Sequence, residues 1–152
     1  MPVTADRTQP STRPDTHPVG RSWIRPFHAL LLGGTLSLFL GALLSDIAYY
    51  RSYEIQWNNF ASWLIAGALA VGVLVLLSAI VDLARAAWRG RPAVYFVLLL
   101  VAWVAGFVNA LVHAKDAWAS MPAGLVLSAI VFVLACVAAW LGFSALRTGE
   151  VR

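Results

Sequence analysis

The chain is polar for its first two dozen positions and then turns apolar four times. Residues 1–22, MPVTADRTQPSTRPDTHPVGRS, show no apolar periodicity and are rich in Pro, Thr and Arg. Such a segment cannot bury enough surface to offset the entropy of ordering it, so a disordered tail is expected up to about residue 26. The apolar runs that follow lie at about Ala29–Ala48, Ala61–Val81, Ala93–Val112 and Gly124–Leu146. Each approaches the ~20 residues that a helix rising ~1.5 Å per residue needs to cross ~30 Å of hydrocarbon. Membrane-spanning strands would need alternation and closure into a barrel, and runs such as YFVLLLVAWV do not alternate. The expected architecture is therefore an all-α membrane protein: four transmembrane helices in an up-down bundle over residues 27–147. A disordered tail precedes the bundle and a short terminus, 148–152, follows it.

Composition strengthens this picture. Of the 152 residues, 61% are apolar and 12% charged, against roughly 45–50% and 25% in globular domains. Cys136, the only cysteine, lies inside an apolar run, with no partner in the chain for a disulfide and no CxxC pattern for zinc. The net charge of +4 would raise nucleic-acid binding in a soluble protein. Here the basic residues flank the apolar runs, so they read as topology and no nucleic-acid partner is expected.

Their distribution is lopsided. Arg7, Arg13, Arg21, Arg25, Arg85, Arg89, Arg91, Arg147 and Arg152 fall on one side of the expected bundle, and Arg51 and Lys115 on the other. The positive-inside rule then places both termini and the middle link in the cytoplasm. The two short links face outward, to the periplasm if the membrane is a bacterial inner membrane. Tyr49, Tyr50, Tyr53, Trp57, Trp63 and Trp118 gather at the outer boundary and Trp23 and Trp88 at the inner one, as amphipathic rings do at the headgroup layer. Small residues every fourth position, Gly33, Ser37, Gly41 and Ser45 on the first helix and Ala102, Gly106, Ala110 and Ala114 on the third, favour close helix packing. Tight packing within the bundle explains them, with a homo-oligomer face as the competing explanation. The first and third runs also align without gaps, FHALLLGGTLSLFLGALLSDIAYYRS against YFVLLLVAWVAGFVNALVHAKDAWAS, as two parallel hairpin repeats would.

Height along the helices decides which polar residues can meet. An outer cluster of Asp46, Asn109, His113 and Asp116 is expected, and an inner one of His28, Asp82 and Arg85. Asn109 and His113 are spaced i,i+4 and share a helix face. A histidine beside a carboxylate can relay protons or orient a ligand nitrogen. The competing reading of the outer cluster is a hydrogen-bonded helix end, and of the inner one an interfacial ion pair. Haem b held by both His28 and His113 fails because they stand at opposite ends, about 30 Å apart. A His113–Met121 ligand pair is the weaker remaining version, and no cofactor is the leading expectation. Nucleotide loops, HExxH and Gly-x-Ser-x-Gly are absent from the sequence, so no catalytic constellation is complete.

His28 at the start of the first helix, ALLSD at Ala42–Asp46, and the turn HAKDAWASMP from His113 to Pro122 resemble a family of bacterial predicted membrane proteins, the domain-of-unknown-function family 2231. The resemblance runs from about Pro26 to Arg147, with Ala29 standing where the family has a proline. It implies a small multi-helix membrane protein without an assigned activity. The expected function is a non-enzymatic accessory subunit of the inner membrane. Its outward aromatic and polar face, Asp46–Phe60 with Asn109–Pro122, would dock a membrane or periplasmic partner. The alternative is a small redox or proton-relay subunit, quinone- or haem-linked, using Asp46 and His113.

Overall fold

The computed structural model describes residues 24–85, 90–115 and 117–148. The expected tail before residue 24, the Arg89 region of the middle link, Asp116 and the last four residues lie outside the described residues. Helix α1 spans Ile24–Ser52, α2 Ile55–Arg85, α3 Arg91–His113, α4 Ala117–Ser120 and α5 Ala123–Thr148. Four of these, all but the single turn α4, are long and apolar enough to cross a membrane.

Each helix outruns its hydropathic core. Helix α1 begins at Ile24, so residues 24–26 of the expected tail are helical. Pro26 is tolerated there because N–H groups of the first turn have no intrahelical acceptor. Helix α2 begins at Ile55 rather than Ala61, taking in IQWNNF. Its 31 residues make a rod of about 46 Å, against about 30 Å of hydrocarbon. Hydropathy marks where the bilayer begins; the backbone goes on hydrogen-bonding through the headgroup layer, where Trp57 and the two asparagines are at home.

The links are tight. After Ser52 the chain turns at Tyr53, whose φ of 55° is left-handed and whose N–H donates to the Tyr49 carbonyl at 2.8 Å. Gly90, at φ 74°, caps the start of α3, with Pro92 in its first turn. Links this short force antiparallel neighbours. Helix α1 packs on α2, α2 on α3, α3 on α5, and α5 back on α1, closing a ring in which α1 and α3 stand on a diagonal. The two hairpins α1–α2 and α3–α5 run in the same direction. Below, "distal" means the end holding the α1–α2 and α3–α5 links, and "proximal" the end holding the termini.

The interior is apolar and layered. Leu32, Val75, Ala79, Leu99, Ala138 and Ala139 form one buried cluster. Phe39, Ala68, Val131 and Ala135 form the next, toward the distal end. Outward the bundle is as oily as inward: Leu44, Val97, Val104, Phe107, Val133 and Trp140 are all exposed. A bundle built for water would turn polar residues out, so the surface these helices present is one for lipid. The stripe of small residues divides between the two faces. Ala102 is buried and Gly106 accommodates Phe39, whereas Ser37 is exposed and a Cβ at Gly33 would meet nothing within 4 Å.

Candidate functional site: two polar clusters across the bundle diagonal

Asp46 and His113 meet at the distal end. Asp46 lies in the penultimate turns of α1 and His113 closes α3; their contact, His113 Nε2 to Asp46 Oδ1, is 2.8 Å. Asp46 is fully buried and His113 is 5% exposed, so no water shell screens the pair. The other ring nitrogen, Nδ1, lies 3.0 Å from the Asn109 carbonyl oxygen. The opposite carboxylate oxygen, Oδ2, accepts from the Ser128 hydroxyl on α5. Ser128 in turn accepts from Asn109 Nδ2 at 2.8 Å.

Donor and acceptor inventory fixes most of the hydrogens. A carbonyl only accepts, so His113 Nδ1 carries a hydrogen. Ser128 spends its single O–H on Asp46. One proton remains, on the line between Nε2 and Oδ1. Held by the ring, it makes an imidazolium–carboxylate pair; held by the acid, a neutral pair. Both arrangements sum to zero charge, and this lets an acid and a base sit together out of water where either alone would be costly. With Nδ1 protonated and Nε2 committed to Asp46, the ring turns no free lone pair toward a metal or a haem iron. Among the described residues no group of three or more His, Cys, Asp or Glu side chains is placed to hold a metal ion.

Gly124, in the first turn of α5, completes the setting. A Cβ built there would stand 2.8 Å from His113 Cε1 and 3.3 Å from Nε2, so the α5 backbone lies directly against the imidazole. A second, smaller contact holds the distal rim: Ser120 Oγ donates its hydrogen to the Ala117 carbonyl at 2.7 Å and lies 3.1 Å from the Asn58 side-chain amide. Ser45, aligned with His113 in the repeat comparison, is buried but bonds within its own helix, to the Gly41 carbonyl. Asp116 lies outside the described residues, and Lys115 is exposed.

The proximal end is built differently. His28 Nδ1 bonds Ser78 Oγ on α2, and His28 Nε2 lies 2.8 Å from Tyr95 Oη on α3. Ser78 gives its own hydrogen to the Val75 carbonyl, so it receives one from Nδ1–H. Nε2 is then free to accept from the Tyr95 phenol. In this arrangement every hydrogen of the cluster is accounted for with the ring neutral. Asp82, one turn beyond Ser78, is exposed, and the Arg85 side chain lies outside the described residues. His28 thus makes its hydrogen bonds to Ser78 and Tyr95.

The two clusters share one register. His28 pairs with Tyr95 and Asp46 with His113, each across 67 residues of chain. Within α1 and within α3 the partners are 18 residues apart, five turns and about 27 Å. Gly142 repeats the role of Gly124 at the proximal end, where a Cβ would stand 3.1 Å from Tyr95 Oη; these glycines are also 18 residues apart. Helices α1 and α3 therefore run parallel at matched height and are bridged at both ends.

Sequence reasoning passed over Ser128, Gly124, Ser78 and Tyr95. Ser128 is the only serine in the distal half of an otherwise apolar helix, one turn from Gly124, but its position alone does not say which way it faces. Nothing in the sequence marks Tyr95 as a partner of His28.

Residues 24–151 match the family model described as DUF2231, predicted membrane protein. No curated protein and no solved structure matches the chain.

Proposed function

Because the chain belongs to the DUF2231 family of predicted membrane proteins, a family whose description assigns no chemistry, we propose its role from the buried pair: a small proton-relay subunit of the membrane, holding one exchangeable proton between Asp46 and His113. The observation that carries this reading is the single unassigned proton between two fully enclosed groups at 2.8 Å. The other ring nitrogen and the other carboxylate oxygen are both committed. A histidine and a carboxylate so placed can pass a proton on without leaving a net charge in the bilayer.

Orientation supports the reading. Nine arginines flank the spans on the side of the termini in sequence, against Arg51 and Lys115 in the other two links; this bias supports a reading with the termini in the cytoplasm and the pair toward the outward face of a bacterial inner membrane. The pair would exchange its proton with the outside.

The test is magnetic resonance on the protein in lipid vesicles with 15N-labelled histidine. The expected spectrum has a far-downfield proton bonded between His113 Nε2 and a carboxylate, lost in Asp46→Asn and kept in Ser62→Ala. A His113 signal that is the same in wild type and Asp46→Asn would end this reading.

Docking of a membrane or periplasmic partner at the same end is a second reading. It is favoured by Trp57 and Phe60, exposed with ring centroids 6.0 Å apart on the part of α2 that projects past its apolar run. Crosslinking in membranes that recovers no partner dependent on Trp57 would remove it.

A further inference from the structure

One atom of the distal cluster has no partner. Asn109 is fully buried, and its Oδ1 accepts no hydrogen bond. The rest of the residue is engaged: Nδ2 donates to Ser128, and the backbone oxygen accepts from His113. A bare amide oxygen in a buried site carries an uncompensated desolvation cost. Leucine or alanine at this position would avoid it. The amide differs from those residues in one respect that matters here: it presents a donor and an acceptor side by side, and a half-turn about its last bond exchanges them.

We infer that Asn109 is a two-way terminus that lets the distal site take up a second proton. This rests on the proposed proton-holding role of Asp46 and His113. In the arrangement seen, hydrogens point from Asn109 to Ser128 to Asp46. When a proton arrives from the outward water, an O–H bond forms at Asp46 Oδ2 while His113 keeps both of its ring hydrogens. Asp46 then donates to Ser128 Oγ. The Ser128 hydroxyl, no longer able to point at Asp46, rotates toward position 109, and the amide turns so that Oδ1 receives it. No covalent bond breaks within the protein; one proton is gained and the charge of the cluster rises by one. Four hydrogen bonds join the cluster before and after, and one amide atom is bare in each state. The chain has reversed direction at no cost in bonds.

Among the described residues, the other titratable and charged groups near this end lie on α1 or in the links. Apart from the pair itself, α1 offers Tyr49, Tyr50 and Arg51 at this end, and α3 carries only Arg91 and Tyr95, both proximal. Helix α2 has no titratable side chain before Asp82, and α5 none but Cys136 and Arg147. Glu54 and Lys115, in the two links, are exposed, and Asp116 lies outside the described residues. The acceptor that could take the Ser128 hydrogen instead of Asn109 is the Gly124 carbonyl, four residues back, the bond that Ser37, Ser45, Ser52 and Ser62 make in their own helices.

Acid-minus-neutral infrared difference spectra of the whole protein in lipid vesicles separate these outcomes, with asparagine carbonyls labelled with 13C. The expected result is a protonated-carboxyl band that appears on acidification and is lost in Asp46→Asn. An asparagine carbonyl band should shift down with it, and that shift should be lost in Asn109→Leu and unchanged in Asn59→Leu. A carboxyl band with a stationary asparagine carbonyl means that the Ser128 hydroxyl returns to Gly124, and overturns the inference. A spectrum with no carboxyl band down to the acid limit of folding also overturns it. Both failures leave the shared proton of the histidine spectrum standing, whereas loss of that shared proton removes the underlying reading first. Helix content from the amide bands of each variant confirms that the comparison is between folded proteins.

Discussion

Gly124 lies against the edge of the His113 ring, so close that a methyl group there would stand 2.8 Å from Cε1. The ring cannot retreat without giving up either Asp46 or the Asn109 carbonyl. Gly124→Ala is therefore expected to destabilise the bundle by about 1–3 kcal/mol, the usual cost of overpacking. It should also erase the shared-proton signal of His113. Gly33→Ala, with nothing within 4 Å of the added carbon, is the matched control, and thermal unfolding in detergent measures both.

Removing one partner of the buried pair strands the other. His113→Leu and Asp46→Leu are each expected to cost about 3–5 kcal/mol, because an unpaired ionisable group stays behind. The double variant should cost clearly less than the two together, and a coupling of at least about 1 kcal/mol is expected from a double-mutant cycle. Strict additivity in the unfolding free energies would mean that the 2.8 Å contact contributes nothing.

At the proximal end, Tyr95→Phe removes the phenol that His28 Nε2 accepts from. The expected loss is about 1–2 kcal/mol for an acceptor left without its donor. Because the two clusters stand about 27 Å apart, Tyr95→Phe and Ser128→Ala should add to within about 0.5 kcal/mol when combined. Unfolding curves of the two single variants and the pair decide this.

Topology has its own check. A reporter active only in the periplasm, fused after Arg152, is expected to be silent, and the same reporter inserted beside Lys115 to be active. The reverse pattern would turn the molecule over and place the Asp46–His113 pair on the cytoplasmic side.

How much of this was legible in the chain depends on what each feature rests on. The four spans follow from apolar runs that nothing interrupts, and lengths near twenty residues leave few alternatives. Asp46 and His113 could be set at the same height because the helices alternate in direction and each residue stands near a link. Rotation about the helix axes was not legible. The hydrophobic pattern is apolar on every face, so it does not say that Tyr95 faces His28 while Asp82 looks outward. For the same reason Ser128 could not be told from a serine that bonds its own helix, as Ser37 and Ser62 do. Gly124 is silent for another reason: the need for a missing side chain appears only when the neighbouring helix is in place.

The apolar layers between the two clusters, from Leu32 and Leu99 through Phe39 and Val131, also have an electrical meaning. A membrane potential falls across hydrocarbon, and a full crossing is worth about 2.3 kcal/mol per elementary charge at 100 mV. The distal pair stands on the link side of these layers, in the outer turns of α1 and α3. On the proposed role, a proton reaching it from the link side would not cross those layers, and so would cross only a minor part of the voltage drop. Its occupancy would follow the acidity of one compartment and stay nearly blind to the charge on the membrane, a chemical gauge read on one face only.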